Sequence, residues 1–372
     1  MNKKKILTII LIILFIGFVA ERINTNKSDV YEEQNKISIK KNKNMLSMNL
    51  EQTAGAGDYK TVTQSSWPTD GYTFNTELSR CEKGSELSWD DTKKTVIMQG
   101  NVSDKCYVYF DLIPSMTLAE YVISQYTGVQ GENSIYYHNS SLENGAGDNS
   151  YRYAGASDSV NNYIFLGSDE ATCPDANLFR IIGVFGDQTK VIRAKSVGDQ
   201  KWNTSKANAW SSSSLNTYLN GEYLTNLGTL ADKIATTTWK VGGGSSTYLY
   251  DVPTTAYQYE VGSSASTTTY EAKIGLMYAS DYGFAASSSA WTTKLSSYSS
   301  NTSKNWLYLG SYEWTISRYS GGTTGAFVVG GSGGVGSDAV TSSCAARPSF
   351  NLESSVKYVS GSGTIENPIR IN

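Results

Sequence analysis

The sequence predicts a β-rich α+β protein, and three observations support this fold class. The 372 residues include 26 tyrosines and 34 glycines, a composition that favours strands, turns and polar loops over helical bundles. Short apolar runs recur along the chain and are separated by turn residues. Only a few short segments carry apolar residues at helical spacing, so strands should form most of the core.

Bulk composition limits the function classes. Charged residues make up 17% of the chain and the formal net charge is −3. Because there is no basic excess to bind a phosphate backbone, nucleic acid is not an expected partner. The length fits one large domain or two smaller ones.

Residues 1–23 are predicted to be a cytoplasmic stub followed by a membrane segment. Three lysines precede an uncharged apolar run, Ile6 to Ala20. At about 1.5 Å per residue the run spans roughly 23 Å, which is short of the roughly 30 Å hydrocarbon core. We interpret it as an uncleaved single-pass anchor in the cell membrane, with a cleaved signal peptide and secretion as the alternative. The positive charges place the chain from Glu21 onward outside the cell.

The next two segments are predicted to be a tether and a small β domain. Residues 24–48 are rich in Lys, Asn, Glu and Gln, which favours a flexible charged linker. Residues 49–113 carry short apolar runs and are predicted to form a small β domain, with strands at 95–98 and 106–110. Residues 90–94, directly before the first of these strands, are predicted to form a hairpin loop.

The four cysteines are Cys81, Cys106, Cys173 and Cys344, and an even count in an exported chain indicates two disulfides. Three pairings are possible, and free thiols are a further alternative. Spacing favours Cys81–Cys106 and Cys173–Cys344, because each bridge then closes within one candidate domain. The loop-entropy model gives about 3 and 5 kcal/mol for the two bridges. No Cys-x-x-Cys spacing occurs, so no structural zinc site is predicted.

Residues 114–372 are predicted to form the main domain. Thr117 can cap a short helix that starts at Leu118. The predicted strands are 150–153, 163–166, a buried hairpin of 178–185 with 190–193, and 274–278; a helical stripe covers 215–219, and the low-complexity segment 242–269 is predicted to be a surface excursion.

The C-terminal stretch suggests a rigid frame that displays a loop. Two aromatic or apolar segments, 306–318 and 344–352, flank the Gly/Ser/Thr-rich segment 320–343. Trp306 and Trp314 are expected in the core, and Glu313 and Arg347 are expected to bond within the fold. The residues predicted to bind a ligand are Arg318, Tyr319, Thr324, Phe327, Ser337 and Asp338.

Several segments resemble an uncharacterised family of bacterial exported proteins. The matching pieces are Leu-Ala-Glu-Tyr-Val-Ile (118–123), Leu-Phe-Arg-Ile-Ile-Gly-Val-Phe (178–185), Ile-Gly-Leu-Met-Tyr-Ala-Ser-Asp-Tyr-Gly (274–283), Trp-Leu-Tyr-Leu (306–309), Tyr-Glu-Trp-Thr-Ile-Ser-Arg (312–318), Ala-Arg-Pro-Ser-Phe-Asn-Leu (346–352) and the ending Gly-Ser-Gly-Thr-Ile-Glu-Asn-Pro-Ile-Arg-Ile (361–371). This resemblance implies a C-type-lectin-like domain from about Pro114 to Asn372. The preceding cysteine module is similar to small β domains that accompany it.

A more distant similarity is to the formylglycine-generating-enzyme branch of that fold. Tyr312-Glu313-Trp314-Thr315 and Ala346-Arg347-Pro348 stand at the matching places. That branch depends on reactive cysteines that bind copper, and this chain has only Cys344 nearby. The similarity therefore implies the fold rather than the activity.

Catalytic and metal-binding constellations are weakly represented. The single histidine, His138, is expected in a surface loop. Glu313 and Asp281 are the candidate glycosidase pair. The preferred interpretations are a buried structural carboxylate for Glu313 and a turn residue for Asp281. Calcium-binding triplets of true C-type lectins are absent, and the glycine runs lack a following Lys-Ser/Thr. No cofactor, metal or catalytic residue is predicted.

These observations favour a membrane-anchored extracellular binding or adhesion protein that recognises a glycan or a protein through residues 320–343. The alternatives are an exported enzyme, either a formylglycine-type oxidase or a glycosidase, and a passive structural protein of the cell envelope.

Overall fold

Strands dominate the computed structural model, with about 33% strand and 21% helix, so the predicted β-rich α+β class is confirmed. The structure describes residues 37–38, 46–63, 66–68, 71–101, 103–113, 115–167 and 173–372. The predicted membrane segment, Ile6 to Ala20, lies outside these residues. Within the described ranges no helix has the length and apolarity needed to cross a membrane. The chain forms two compact units, and the boundary between them lies between Ser115 and Met116.

The described part of the first unit contains eight strands. They are β1 Ile37–Ser38, β2 Leu46–Glu51, β3 Tyr59–Val62, β4 Tyr72–Phe74, β5 Arg80–Cys81, β6 Glu86–Asp90, β7 Thr95–Gln99 and β8 Cys106–Leu112. One sheet has the order β1-β7-β6 and the other has β3-β2-β8-β4, with β5 also paired to β8. The predicted β6–β7 hairpin is confirmed, and its loop falls at residues 91–94.

Alternation along the strands explains the core of this unit. Val108 and Phe110 of β8 are buried, as are Met48 and Leu50 of β2, which pairs with it in parallel. Strand β2 therefore begins at Leu46, inside the segment predicted to be a tether, because its apolar side chains complete this core. Strand β1 also lies within the predicted tether.

The Cys81–Cys106 disulfide is present, as predicted. The two cysteines are directly opposite each other where β5 pairs with β8, so strand pairing brings their sulfur atoms together.

In the second unit, the described residues form sixteen strands and six short α-helices. The strands are β9 Ile135–Tyr137, β10 Tyr151–Tyr153, β11 Tyr163–Phe165, β12 Leu178–Phe185, β13 Gln188–Arg193, β14 Asp199–Lys201, β15 Thr237–Lys240, β16 Thr269–Ala272, β17 Ile274–Gly275, β18 Glu313–Arg318, β19 Gly325–Val329, β20 Val335–Ala339, β21 Ser343–Ala345, β22 Ser349–Leu352, β23 Tyr358–Ser360 and β24 Ile369–Ile371. The helices are α1 Leu118–Ser124, α2 Ser214–Tyr218, α3 Leu224–Asn226, α4 Ser246–Leu249, α5 Pro253–Glu260 and α6 Ala279–Phe284. A π-helical turn, Leu219–Tyr223, joins α2 to α3, and 3₁₀ turns cover Glu132–Ser134, Asp175–Asn177, Trp210–Ser212, Gly228–Lys233, Ser288–Ala290 and Leu295–Lys304.

Three sheets organise these strands. The largest has the order β17-β22-β13-β12-β11-β24-β23, and β10 joins it through β12 and carries β9. The second sheet has five strands in the order β14-β21-β18-β19-β20. The third sheet consists of β15 and β16. The central strand β12 is buried along seven of its eight residues, which agrees with the predicted apolar hairpin of β12 and β13.

Local predictions in this unit have mixed outcomes. The helix predicted after Thr117 is confirmed, and Thr117 forms a capping box with Glu120. The predicted surface excursion 242–269 is wrong, because it contains α4 and α5 and buries Leu249, Ala256 and Glu260. Serines and threonines mask these few inward residues in the sequence. The strand predicted at 274–278 stops at Gly275.

Candidate functional site

The segment 320–343, predicted to be a loop, is mostly a β-hairpin. Strands β19 and β20 pair over five residues each, and β19 also pairs with β18. Ala326, Phe327, Val328 and Val329 are buried, so this part of the segment belongs to the core. The Gly/Ser/Thr content of the flanking turns hid the short apolar run Ala326–Val329.

The six predicted ligand-binding residues do not form one surface. Phe327 is fully buried, which contradicts its predicted role in ligand binding. Arg318 is half-buried, and its Nε donates to the carbonyl of Gly242 at 2.9 Å. Tyr319 is half-buried against Phe327. Thr324 and Ser337 are exposed, and Asp338 accepts a hydrogen bond from the Ser342 hydroxyl.

The exposed part of the predicted region is the turn between β18 and β19. We call residues 319–324 the surface turn, and within it Ser320 to Thr324 are all exposed. Asn208, which is 3% exposed, fixes the backbone of the turn through hydrogen bonds. Its Nδ2 donates to the carbonyls of Tyr319, Gly322 and Gly325 at 2.9, 3.1 and 2.8 Å, and its backbone N–H donates to Thr323 at 2.8 Å.

A glycine run supports the base of the surface turn. Gly243 has φ +59°, and a Cβ at this position would lie 1.9 Å from the carbonyl oxygen of Arg318. The neighbouring Gly244 accepts a hydrogen bond from the N–H of Ser320 at 2.8 Å. The run therefore permits close contact between two backbones, a role that the sequence alone did not indicate.

The two carboxylates of the candidate glycosidase pair are both buried in ion pairs. Glu313 accepts two hydrogen bonds from Arg347, at 2.6 Å from Nε and 2.8 Å from Nη2, as expected from the sequence. Burial raises the pKa of Glu313, and the Arg347 charge opposes this shift. Asp281 lies in helix α6 rather than in a turn and is 3% exposed.

Asp281 belongs to a buried charge cluster formed with Lys190, Arg152 and Asp148. Lys190 Nζ is 2.5 Å from Asp281 Oδ2, and Arg152 Nη1 is 3.5 Å from Asp281 Oδ1. Arg152 Nη2 donates to Asp148 Oδ2 at 2.6 Å. Burial lowers the pKa of Lys190, although Asp281 acts in the opposite direction. Burial favours a neutral Asp148, but the Arg152 charge and Ser150 prevail and lower its pKa to about 2.

The charge cluster lines a cavity of about 170 Å³. Aromatic side chains, including Trp239, Tyr257 and Tyr278, form much of the remaining wall. Lys190 Nζ lies 4.6 Å from the ring centroid of Tyr278 and 5.5 Å from that of Trp239. Sequence analysis missed this site because its residues come from widely separated segments.

His138 is fully buried, so its predicted place in a surface loop is wrong. Its ring packs against Phe284 and Trp291, and Nδ1 accepts a hydrogen bond from the N–H of Ala146 at 3.0 Å. Burial and then the Arg152 charge lower the pKa of His138, which favours the neutral ring. These contacts give the histidine a packing role.

The predicted Cys173–Cys344 disulfide is wrong in this structure, because Cys344 is a thiol. Cys344 is 3% exposed and lies opposite Gln200 where β21 pairs with β14. The Cys173 Sγ lies 3.6 Å from the carbonyl oxygen of Pro174. Burial raises the pKa of the Cys344 thiol to about 12, so it is not poised as a thiolate. Among the described residues, no three His, Cys, Asp or Glu side chains assemble into a metal site.

No family model, curated protein or solved structure matches this chain. The C-type-lectin-like fold therefore stays a prediction from the sequence segments, and the candidate sites rest on geometry.

Proposed function

We propose that this chain is an extracellular binding protein that recognises a glycan or a protein partner through the surface turn, residues 319–324. The observation that carries the proposal is the set of four hydrogen bonds from Asn208 to the backbone around this turn. A turn that is fixed before binding loses less conformational entropy when a partner is bound. Its exposed hydroxyl groups and glycine backbone supply donors and acceptors for such a partner.

Two further observations support the cellular setting of this proposal. The Cys81–Cys106 disulfide is characteristic of an oxidising compartment, which agrees with an exported chain. The apolar run Ile6 to Ala20 is the proposed membrane anchor, with secretion as the alternative.

A C-type-lectin-like fold for residues 114–372 is part of the same proposal. It is supported by the positions of the segments that carry the resemblance. Strands β12, β17, β22 and β24 all belong to the largest sheet of the second unit, and β18 forms the centre of the five-stranded sheet. The quoted segments thus supply strands to both of the larger sheets of this unit, from the central strand β12 to the edge strand β17.

The proposal is tested by glycan-array binding and by pull-down from surface extracts of the source cells, with three variants of the full chain. T323A/T324A removes two of the three exposed side-chain hydroxyl groups of the surface turn, and N208A removes the side chain that supports the turn. S299A/S300A is the control, because it removes two exposed hydroxyl groups elsewhere in the second unit. We expect the first two variants to lose binding and the control to retain it.

Binding that survives both T323A/T324A and N208A would overturn the assignment. Signal on the array identifies a glycan, whereas signal in the pull-down alone identifies a protein. N208A removes the side-chain hydrogen bonds at the base of the turn, each worth about 0.5–1.5 kcal/mol, so circular dichroism must show that the variant is folded.

A further inference from the structure

The cavity beside the charge cluster has a buried polar floor and an accessible rim. Ser280, Asp281 and Lys190 form the floor, and each is at most 5% exposed. Thr238 lies on the rim and is exposed, while Tyr257 and Val261 on the same rim are half-buried. The lining of the cavity therefore runs from an exposed side chain to buried polar groups.

Several polar groups that line the cavity retain hydrogen-bonding capacity. An ammonium group carries three donors, and within the described residues Lys190 Nζ gives one hydrogen bond, to Asp281. Asn351 Nδ2 donates to Thr237 Oγ1 at 3.1 Å, but Asn351 Oδ1 is buried and accepts no hydrogen bond from the described part of the chain. An unsatisfied buried acceptor costs about 1–3 kcal/mol, so its retention requires an explanation.

Ser280 adds a hydroxyl group at the floor. Ser280 is 1% exposed, and its Oγ makes no hydrogen bond of good geometry to any described residue. The hydroxyl is near enough to Glu260 to help oppose the increase in the pKa of Glu260 that burial causes. The cavity thus presents both donors, from Lys190, and acceptors, from Asn351 and Ser280.

Five charged residues line the cavity; four of them form direct ion pairs whose charges balance, and the fifth, Lys240, is half-buried. Arg152 and Lys190 contribute two positive charges, and Asp148 and Asp281 contribute two negative charges that are directly paired with them. A charged ligand would break this balance in a poorly solvated site, at an electrostatic cost. The site therefore favours a neutral ligand that can donate and accept hydrogen bonds simultaneously, which is a property of hydroxyl groups.

Cavity size and wall chemistry restrict the ligand further. A volume of about 170 Å³ is smaller than the roughly 300–1,000 Å³ of pockets for drug-sized molecules and equals about six waters of liquid volume. Trp239 and Tyr278 offer apolar ring surfaces beside the polar groups. These features fit a small ring or chain with hydroxyl groups along one edge and C–H groups along the other.

We propose that this cavity is a second binding site, which takes a small neutral polyol or a monosaccharide unit. Lys190 donates to a ligand hydroxyl group, and Asn351 Oδ1 accepts from one. The site is separate from the surface turn, so it goes beyond the proposed function.

The proposal is tested by calorimetric titration of the full chain with glycerol, myo-inositol, methyl glucoside and N-acetylglucosamine. Sodium acetate and tetramethylammonium chloride are the ionic comparison probes. T238W fills the rim, and T269W is the matched control, because Thr269 is an exposed threonine of the partner strand β16 that does not line the cavity. We expect a neutral probe to bind to wild type and T269W, and binding to be lost in T238W.

N351A provides a second and independent test. If Asn351 Oδ1 serves a ligand, N351A should abolish binding of the neutral probe with only a small fall in melting temperature, because the hydrogen bond it removes within the described structure is that from Nδ2 to Thr237, which is worth about 0.5–1.5 kcal/mol. The inference is overturned if no neutral probe binds, if an ionic probe alone binds, or if T238W binds as wild type does. Loss of macromolecular binding in T323A/T324A with neutral-probe binding intact would separate this site from the surface turn.

Discussion

Removal of Arg347 should destabilise the second unit strongly, because it would leave the Glu313 carboxylate buried without a partner. The two side chains are 3% and 1% exposed, and Arg347 gives three hydrogen bonds, two to Glu313 and one to the carbonyl of Leu307 at 2.6 Å. Breaking a buried ion pair by removing one partner costs about 3–5 kcal/mol. At a urea dependence of about 2 kcal/mol per molar, R347M should lower the midpoint of unfolding by about 2 M.

The matched variant is E313L/R347M, which removes both charges. Apolar replacement of a whole buried pair is often neutral or stabilising, so the double variant should regain most of the stability that R347M loses. The unpaired carbonyl of Leu307 limits the recovery by about 1–3 kcal/mol. Urea unfolding followed by tryptophan fluorescence measures both variants. The reasoning is refuted if the double variant is as unstable as R347M, since the isolated charge would then not be the cause.

The dependence on pH gives a second signature of the same pair. Burial raises the pKa of Glu313, and Arg347 opposes that increase, so R347M should raise the pKa further. When the pKa of a carboxyl group is higher in the folded state than in the unfolded state, ionisation of that group lowers the stability of the fold. This loss of stability is smallest below the unfolded pKa, near 4.5, and largest above the folded pKa. R347M should therefore lose less stability at pH 4.5 than at pH 7, measured against wild type at each pH.

Three further predictions concern the disulfide, the buried thiol and the histidine. C81A/C106A opens a bridge between residues 25 apart and should destabilise the first unit by about 3.5 kcal/mol in urea unfolding; an unchanged transition would contradict the bridge. In C173S, the Cys344 thiol, with its pKa near 12, should react with Ellman's reagent only as urea unfolds the chain, and full labelling in native buffer would be inconsistent with its burial. Because burial lowers the pKa of His138, wild type should lose stability as pH falls below 6.5, the unfolded pKa, whereas H138F should lack this part of the slope; equal slopes would disprove a neutral buried ring.

The elements with strong apolar periodicity could be predicted from the sequence. The β12–β13 hairpin, the helix capped by Thr117 and the Glu313–Arg347 pair all follow from local patterns or from residue types that must be paired when buried. Segments rich in Ser, Thr and Gly were predicted poorly. Strand β19 buries four of its five residues but is short and lies between Gly/Ser/Thr-rich turns, and helix α5 has only a few buried residues among polar neighbours.

The candidate sites depend on tertiary contacts that local patterns do not encode. Asn208 reaches the surface turn across more than one hundred residues of sequence, and an asparagine in a polar segment gives no sign of that role. His138 is flanked by two tyrosines and an asparagine, yet its contacts with Phe284 and Trp291 bury it. Lys190 gave the clearest available signal, because it is a charge adjoining the apolar run of a strand that is buried for four of its six residues.

The burial of Lys190 and Asp281 requires an explanation beyond the stability of the fold. Buried ion pairs contribute little to stability when compared with apolar groups of similar volume, so Lys190 and Asp281 are not explained by the fold alone. K190M/D281N tests this argument, because the asparagine can still accept the N–H of Tyr278, which bonds Asp281 Oδ2 at 2.9 Å in the native chain. We expect near-native melting of K190M/D281N together with loss of neutral-probe binding. Melting far below wild type would instead show that the cluster holds the fold together, and the case for a ligand would then rest on Asn351 Oδ1 and the cavity rim.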